Sequence, residues 1–111
     1  MNFDSATMGI TRDSEKVICY LYHCYLDRRD SGESRLSAKE FDKDFWRSNP
    51  KLSKWNPEDI SDCISELYEH GYIQTDILDN ITLTDSVIIY MEGRFRRGLA
   101  DAWDIITDIF P

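Results

Sequence analysis

The segment from Trp55 to Thr84 limits the folds open to this chain more than any other. Asn56 supplies an N-cap, Pro57 suits the first helical position, and Glu58 and Asp59 put negative charge at the positive end of a helix dipole. Ile60, Cys63, Ile64, Leu67 and Tyr68 then recur every three or four residues, which predicts one apolar helical face. Gly71 is placed to take left-handed backbone and end that helix. Two short alternating runs follow, Tyr72–Ile77 and Ile81–Thr84, with Asp79-Asn80 as turn residues between them.

A helix, a glycine stop and a tight ribbon in that order predict the third helix and wing of a winged helix-turn-helix. The expected fold is mainly α (α+β), with a short two-stranded wing and a long C-terminal helix. The third helix of such a fold ordinarily enters the DNA major groove. Here its outward residues are Glu58, Asp59, Asp62, Glu66 and Glu69, and the wing adds Asp76 and Asp79. From Trp55 to Glu92 there are nine acidic residues and neither Lys nor Arg, so this segment carries −9 of a net −8 and the rest of the chain +1. Phosphate neutralisation supplies most non-specific nucleic-acid affinity, so this charge opposes DNA binding and favours a basic protein partner.

The remaining composition bounds the class. At 111 residues with 41% hydrophobic and 13% aromatic content, the chain suits one globular domain with a single core. No apolar run reaches membrane-spanning length and no signal peptide is indicated. Cys19, Cys24 and Cys63 are an odd set lying in helical patterns, which reads as reduced thiols of a cytoplasmic protein.

In chain order, residues 1–12 are expected to form a flexible arm and residues 13–111 the winged-helix domain. Asp13 or Ser14 caps a first helix whose stripe is Val17, Ile18, Leu21, Tyr22, Tyr25 and Leu26, ending near Arg29. Ser37 with Glu40 reads as a capping box that starts a second helix, with Phe41 and Phe45 inward and Trp46 beside them. Lys39, Lys43 and Arg47 then line one ridge at spacings of four, extended by Lys51 and Lys54. Asn49-Pro50 stops that helix, and the link to Trp55 is longer than the three or four residues usual in a helix-turn-helix. A last helix is expected over residues 85–110. Its heptad-spaced Ile88, Phe95, Ala102 and Ile109, with Leu99 and Ile106 between them and Met91, Trp103 and Phe110 alongside, form a pairing seam that suits a homodimer. The plainer alternative is that it packs back on the first helix. Gly93 and Gly98 weaken this helix, and a kink near Glu92-Gly93 is expected.

Chemistry-bearing clusters are few. Cys19 with His23 and Cys63 with His70 sit on separate helices, and no Cys-x-x-Cys or His-Glu-x-x-His run exists, so neither metal nor cofactor is expected. There is no nucleophile elbow and no glycine-rich phosphate loop, and scattered carboxylates without a cleft make a poor acid–base pair. The expectation is a protein that is not an enzyme. A run of acids is by itself usually a solvated face. Its placement on the helix and wing that this architecture uses for contact is what gives it functional weight.

The run Glu-Leu-Tyr-Glu-His-Gly-Tyr-Ile (66–73), the wing, Ile-Thr-Leu-Thr-Asp-Ser-Val-Ile-Ile-Tyr-Met-Glu (81–92) and the ending Asp-Ile-Ile-Thr-Asp-Ile-Phe-Pro resemble the YjcQ-like family. These are small winged-helix proteins of Gram-positive bacteria and their prophages. The likeness spans residues 14–111 in element order and is sharp over 64–111. It implies a winged helix, phage origin and self-association, and it carries no catalytic residues.

Two functions follow as expectations. In the first, Glu58, Asp59, Asp62, Glu66, Glu69, Asp76 and Asp79 engage a basic surface of a nucleic-acid-handling protein, as a DNA mimic or an inhibitor such as an anti-CRISPR. In the second, a dimeric transcription regulator touches DNA through Lys39, Lys43, Arg47, Lys51, Lys54, Arg94, Arg96 and Arg97. The dimer seam is Ile88, Phe95, Leu99, Ala102, Trp103, Ile106 and Phe110 in either case. A purely structural role in an assembly is the third option.

Overall fold

A computed structural model describes residues 9–96, except for the side chains of Trp46, Arg47, Phe95 and Arg96. The elements are α1 (Arg12–Asp30), α2 (Arg35–Ala38), β1 (Glu40–Phe41), α3 (Phe45–Ser48), a 3-10 turn (Leu52–Lys54), α4 (Pro57–Glu69), β2 (Ile73–Thr75), β3 (Ile81–Leu83) and α5 (Asp85–Arg96). The fold is mostly helical with a small antiparallel sheet in the order β1-β3-β2.

Helix α1 is the hub, packing against α4 and α5. Its first turn is capped by Thr11, whose hydroxyl accepts from the Ser14 amide, so the helix starts earlier than Asp13 or Ser14 would start it. Ile10 is already in the core, which corrects the expectation of a loose arm through residue 12. Val17, Ile18, Leu21, Tyr22 and Tyr25 are buried as the periodicity predicts. From α4 the core receives Ile60, Cys63 and Leu67, and from α5 Val87, Ile88 and Met91. The sheet contributes two cross-strand pairs, Phe41 opposite Ile81 and Ile73 opposite Leu83, all four buried.

The expected second helix does not form, which is the largest departure from the sequence reading. Ser34, not Ser37, caps α2, and the Ser37 amide donates to the Ser34 hydroxyl at 3.1 Å. The helix stops after one turn because Glu40 and Phe41 pair with Thr82 and Ile81. Arg28 secures this turn from α1. Its guanidinium lies 4.3 Å from the Phe41 ring centroid and donates to the Ala38 and Glu40 carbonyls. Lys39, Lys43 and Arg47 therefore fall on a cap, a turn and a separate short helix rather than on one continuous helix.

The connection from α3 to α4 is as long as the sequence suggests, but it is ordered. The Asn49 carboxamide accepts from the Lys51 and Leu52 amides and donates to the Tyr20 hydroxyl at 2.8 Å, while Leu52 is buried. Burial pushes the Tyr20 phenol up to about 12.

Helix α4 keeps the boundaries read from sequence. The Asn56 side chain accepts from the Glu58 amide, Pro57 opens the first turn, and Gly71 stands at φ +76°. The Tyr72 amide reaches the Leu67 carbonyl and the Gly71 amide the Tyr68 carbonyl, a Schellman ending that only a left-handed residue closes cheaply. Thr84 joins this ending to α5, since its hydroxyl donates toward the Gly71 carbonyl at 2.8 Å and accepts from the Val87 amide at 3.3 Å. Thr84→Val removes both contacts, and urea titration should show a loss of about 1 kcal/mol, the usual worth of an N-cap.

Candidate functional site

Helix α4 presents three faces. At about 100° per residue, Ile60, Cys63 and Leu67 point to the core, while Glu58, Asp59, Asp62, Glu66 and Glu69 share a second arc. Between these arcs lies a third face of Ser61, Ile64, Ser65 and Tyr68. Sequence reading placed Ile64 and Tyr68 on the core face, but Ile64 is only half-buried and Tyr68 is 54% exposed. The signal for this was the Ser61–Ser65 pair at spacing four, flanking the two apolar residues on a side the core does not need.

The acids divide by role. Glu58, Asp59, Asp62, Glu69 and Asp79 are exposed. Glu66 turns inward to the start of α1, where its carboxylate accepts from the Thr11 amide (3.0 Å), the Thr11 hydroxyl (2.8 Å) and the Ser14 hydroxyl. Partial desolvation pushes this acid up, but the Ser14 and Thr11 hydrogen bonds outweigh it and hold its pKa below the ordinary value. Glu66 is thus a structural cap, and the partner surface expected from sequence loses it.

Asp76 also works internally. Its carboxylate accepts from the Leu78 amide at 2.8 Å, the Asn80 amide at 3.0 Å and the Asn80 carboxamide at 3.0 Å, closing the β2–β3 loop. Asn80 and Leu78 hold this acid below its usual value. Asp79 takes φ 63°, the left-handed conformation that short polar side chains tolerate. The loop lifts Ile77 (98% exposed) and Leu78 (62%) into solvent, so β2 is shorter than the alternation to Ile77 implies. Asp76→Ala should leave the global fold intact and speed hydrogen exchange of the Leu78 and Asn80 amides. Unchanged exchange there would refute this role for the carboxylate.

The described basic side chains fall on separate elements. Lys39 is paired with Asp85 across 3.4 Å, Lys43 occupies the turn after β1, Lys51 precedes the 3-10 turn and Lys54 is its last residue. The Arg47 and Arg96 side chains and all of Arg97 lie outside the described residues. Arg94 departs from the expectation that it touches DNA. Its side chain is fully buried, 3.4 Å from the Glu15 carboxylate and 3.7 Å from Cys19 Sγ. Of the seam residues, Ile88 belongs to the core of the single chain. The Phe95 side chain, Leu99, Ala102, Trp103, Ile106 and Phe110 lie outside the described residues.

Among the described residues no group of three or more His, Cys, Asp or Glu side chains is arranged to hold a metal ion. Cys19 contacts Arg94, whereas His23 faces Asp27 at 3.5 Å; His70 accompanies the Glu66 carbonyl and stacks on Tyr72. Burial pushes the Cys24 and Cys63 thiols up, which disfavours the reactive thiolate at neutral pH. No described helix is long and apolar enough to cross a membrane.

An open cleft of about 750 Å³ runs along the third face of α4, between the 3-10 turn and the β2–β3 loop. Glu69 and Asp79 stand on its margin, and among the described residues no Lys or Arg lines it. Comparison of the chain with protein-family models, curated proteins and solved structures gives no match in any of the three.

Proposed function

We propose that this chain is a non-enzymatic protein-binding module of winged-helix architecture whose α4 and β2–β3 loop engage a basic surface on a nucleic-acid-handling protein. The described order α1, α2, β1, α3, α4, β2, β3, α5, with β3 between β1 and β2 and the one-turn α2 leading into β1, supports the winged-helix reading. One observation carries the functional reading. The helix that such a fold directs at DNA exposes Glu58, Asp59, Asp62 and Glu69, with Asp79 on the adjoining loop, inside a segment that contains no Lys or Arg. A surface of that sign is repelled by phosphate and attracted to proteins that bind phosphate.

The module acts as a cytoplasmic DNA mimic, and an inhibitor of host defence is one instance. The resemblance to YjcQ-like proteins makes phage origin part of this proposal. Self-association through residues 97–111 is a separate part of it. Leu99→Asp with Ile106→Asp should leave a folded monomer by light scattering if that seam joins two chains, whereas an unfolded chain would assign the segment to the core.

The test is in two steps. Titration with mixed-sequence duplex DNA at about 50 and 200 mM salt should show no binding at either concentration. Affinity that falls steeply with salt would overturn the proposal in favour of a regulator. Immobilised chain should then retain DNA-binding proteins that duplex DNA competes away, and Asp62→Lys with Glu69→Lys should abolish retention. Equal retention by that variant would remove the acidic surface from the account.

A further inference from the structure

The cleft beside the acidic arc has the dimensions and chemistry of a docking groove. Ile64 and Tyr68 stand one turn apart on the third face, with Ser61 and Ser65 beside them and buried Ile60 at the floor. Trp55, half-buried, lies just before the first turn, and Glu69 lies in the last. From Pro57 to Glu69 the helix runs about 18 Å at 1.5 Å per residue, some three turns of a partner helix.

Charge decides what fits. Exposed Tyr68 and half-buried Ile64 and Trp55 call for apolar anchors, since a wholly polar ligand would leave them wet. Glu58, Asp62 and Glu69 project from the arc next to Ile64 and Tyr68, and Asp79 faces them from the loop. An anionic ligand is repelled by that margin, and a neutral apolar one leaves it unmatched. Lys51 and Lys54 belong to the turn before Trp55, at the end of the cleft away from Glu69, and neither lines it.

We infer that this cleft takes a cationic amphipathic helix of the partner protein, with apolar side chains on Trp55, Ile64 and Tyr68 and with Lys or Arg against Glu58, Asp62, Glu69 and Asp79. Helix-in-groove recognition reads anchors at spacings of three and four, the same period as Ile64 and Tyr68 on α4. The inference rests on the proposed acidic contact surface and adds to it the secondary structure and the anchors of the ligand.

The experiment titrates the full-length chain with a fluorescent peptide of about 14 residues, Leu and Lys alternating at helical spacing, about 20 Å long when helical. A second peptide has every Leu replaced by Ser at equal charge. The Leu/Lys peptide should bind, with amide shifts concentrated between residues 53 and 79, and the Ser/Lys peptide at least about tenfold more weakly. Ser65→Trp, which fills the cleft, and Tyr68→Ala should each weaken binding about tenfold while circular dichroism stays unchanged. Asp62→Lys with Glu69→Lys should do the same.

If charge reversal abolishes binding while Ser65→Trp and the Ser/Lys peptide behave like wild type, the acidic surface survives and the groove is overturned. No binding of either peptide overturns both readings. Tighter binding to the Leu99→Asp, Ile106→Asp variant would show that the chain's own C-terminal segment occupies the cleft, and a dimer lost in Ser65→Trp would assign it to a second copy. Either result overturns the inference.

Discussion

Arg94→Met should lower the unfolding free energy by about 3 kcal/mol, the lower end of the roughly 3–5 kcal/mol typical for breaking a buried ion pair from one side. The guanidinium is fully buried against Glu15, and Met retains most of the stem's volume while removing the charge. Glu15, equally buried, then keeps Arg12 at 3.0 Å as a counter-charge, which is why the cost falls at the lower end rather than beyond it. The companion variant is Glu15→Gln with Arg94→Met. Neutralising both partners removes the stranded charge, so the double variant should be more stable than the sum of the single losses by more than 1 kcal/mol, on the order of couplings measured for contacting residues. Urea denaturation of the four proteins measures this directly. Domains are stable by only about 5–15 kcal/mol, so the single change should also lower the melting temperature visibly. A loss below about 0.5 kcal/mol, the usual size for an unengaged surface residue, would mean that α5 does not lay Arg94 over α1 as described.

Glu66→Ala is expected to cost about 1.5–2 kcal/mol, toward the lower end for hydrogen bonds to a charged group because the site is only partly shielded from water. The carboxylate holds the Thr11 amide, the Thr11 hydroxyl and the Ser14 hydroxyl, so its loss frees the first turn of the hub helix from α4. The same contacts make stability depend on pH. The folded state holds this acid below its ordinary value, so fewer protons are bound in the folded than in the unfolded chain through the acidic range. Its contribution is therefore complete above the unfolded pKa and is lost as pH falls through the lowered folded value. Wild type should lose more stability on acidification than Glu66→Ala, and the two curves should converge at low pH. Parallel curves down to about pH 3 would dismiss Glu66 as the group responsible. Asp76, lowered in the same direction, remains in both proteins and adds the same slope to each.

The two predictions concern residues whose chemical type was plain in the sequence and whose role was not. Glu66 lies on the same helical arc as Glu58, Asp62 and Glu69, and nothing local separates it from them. It is distinguished by the N-terminus of α1, which lies 52 and 55 residues away along the chain and happens to present its hydroxyls there. Arg94 belongs to a cluster of arginines that reads as a surface patch, yet a glutamate 79 positions earlier draws it into the core. Long cationic stems tolerate either burial or solvent, and only the neighbour decides.

What the sequence determined by itself was everything whose cause is local. The ends of α4 follow from Asn56, Pro57 and Gly71, the buried stripe of α1 from its period, and the acidity of the α4 face from composition alone. These features depend on contacts within about four residues, which a linear reading sees whole. Tertiary structure alone decided the region from Arg35 to Ser48. Its capping signals permit a helix from either Ser34 or Ser37, each worth only about 1 kcal/mol. Pairing of Phe41 with Ile81, and its burial, worth about 1.5–3 kcal/mol, select a strand instead. The cleft was hidden for the same reason. Ile64 and Tyr68 are apolar and correctly spaced for a core, but α1 and the sheet complete that core against Ile60, Cys63 and Leu67, so among the described residues a third face of α4 lines an open cleft.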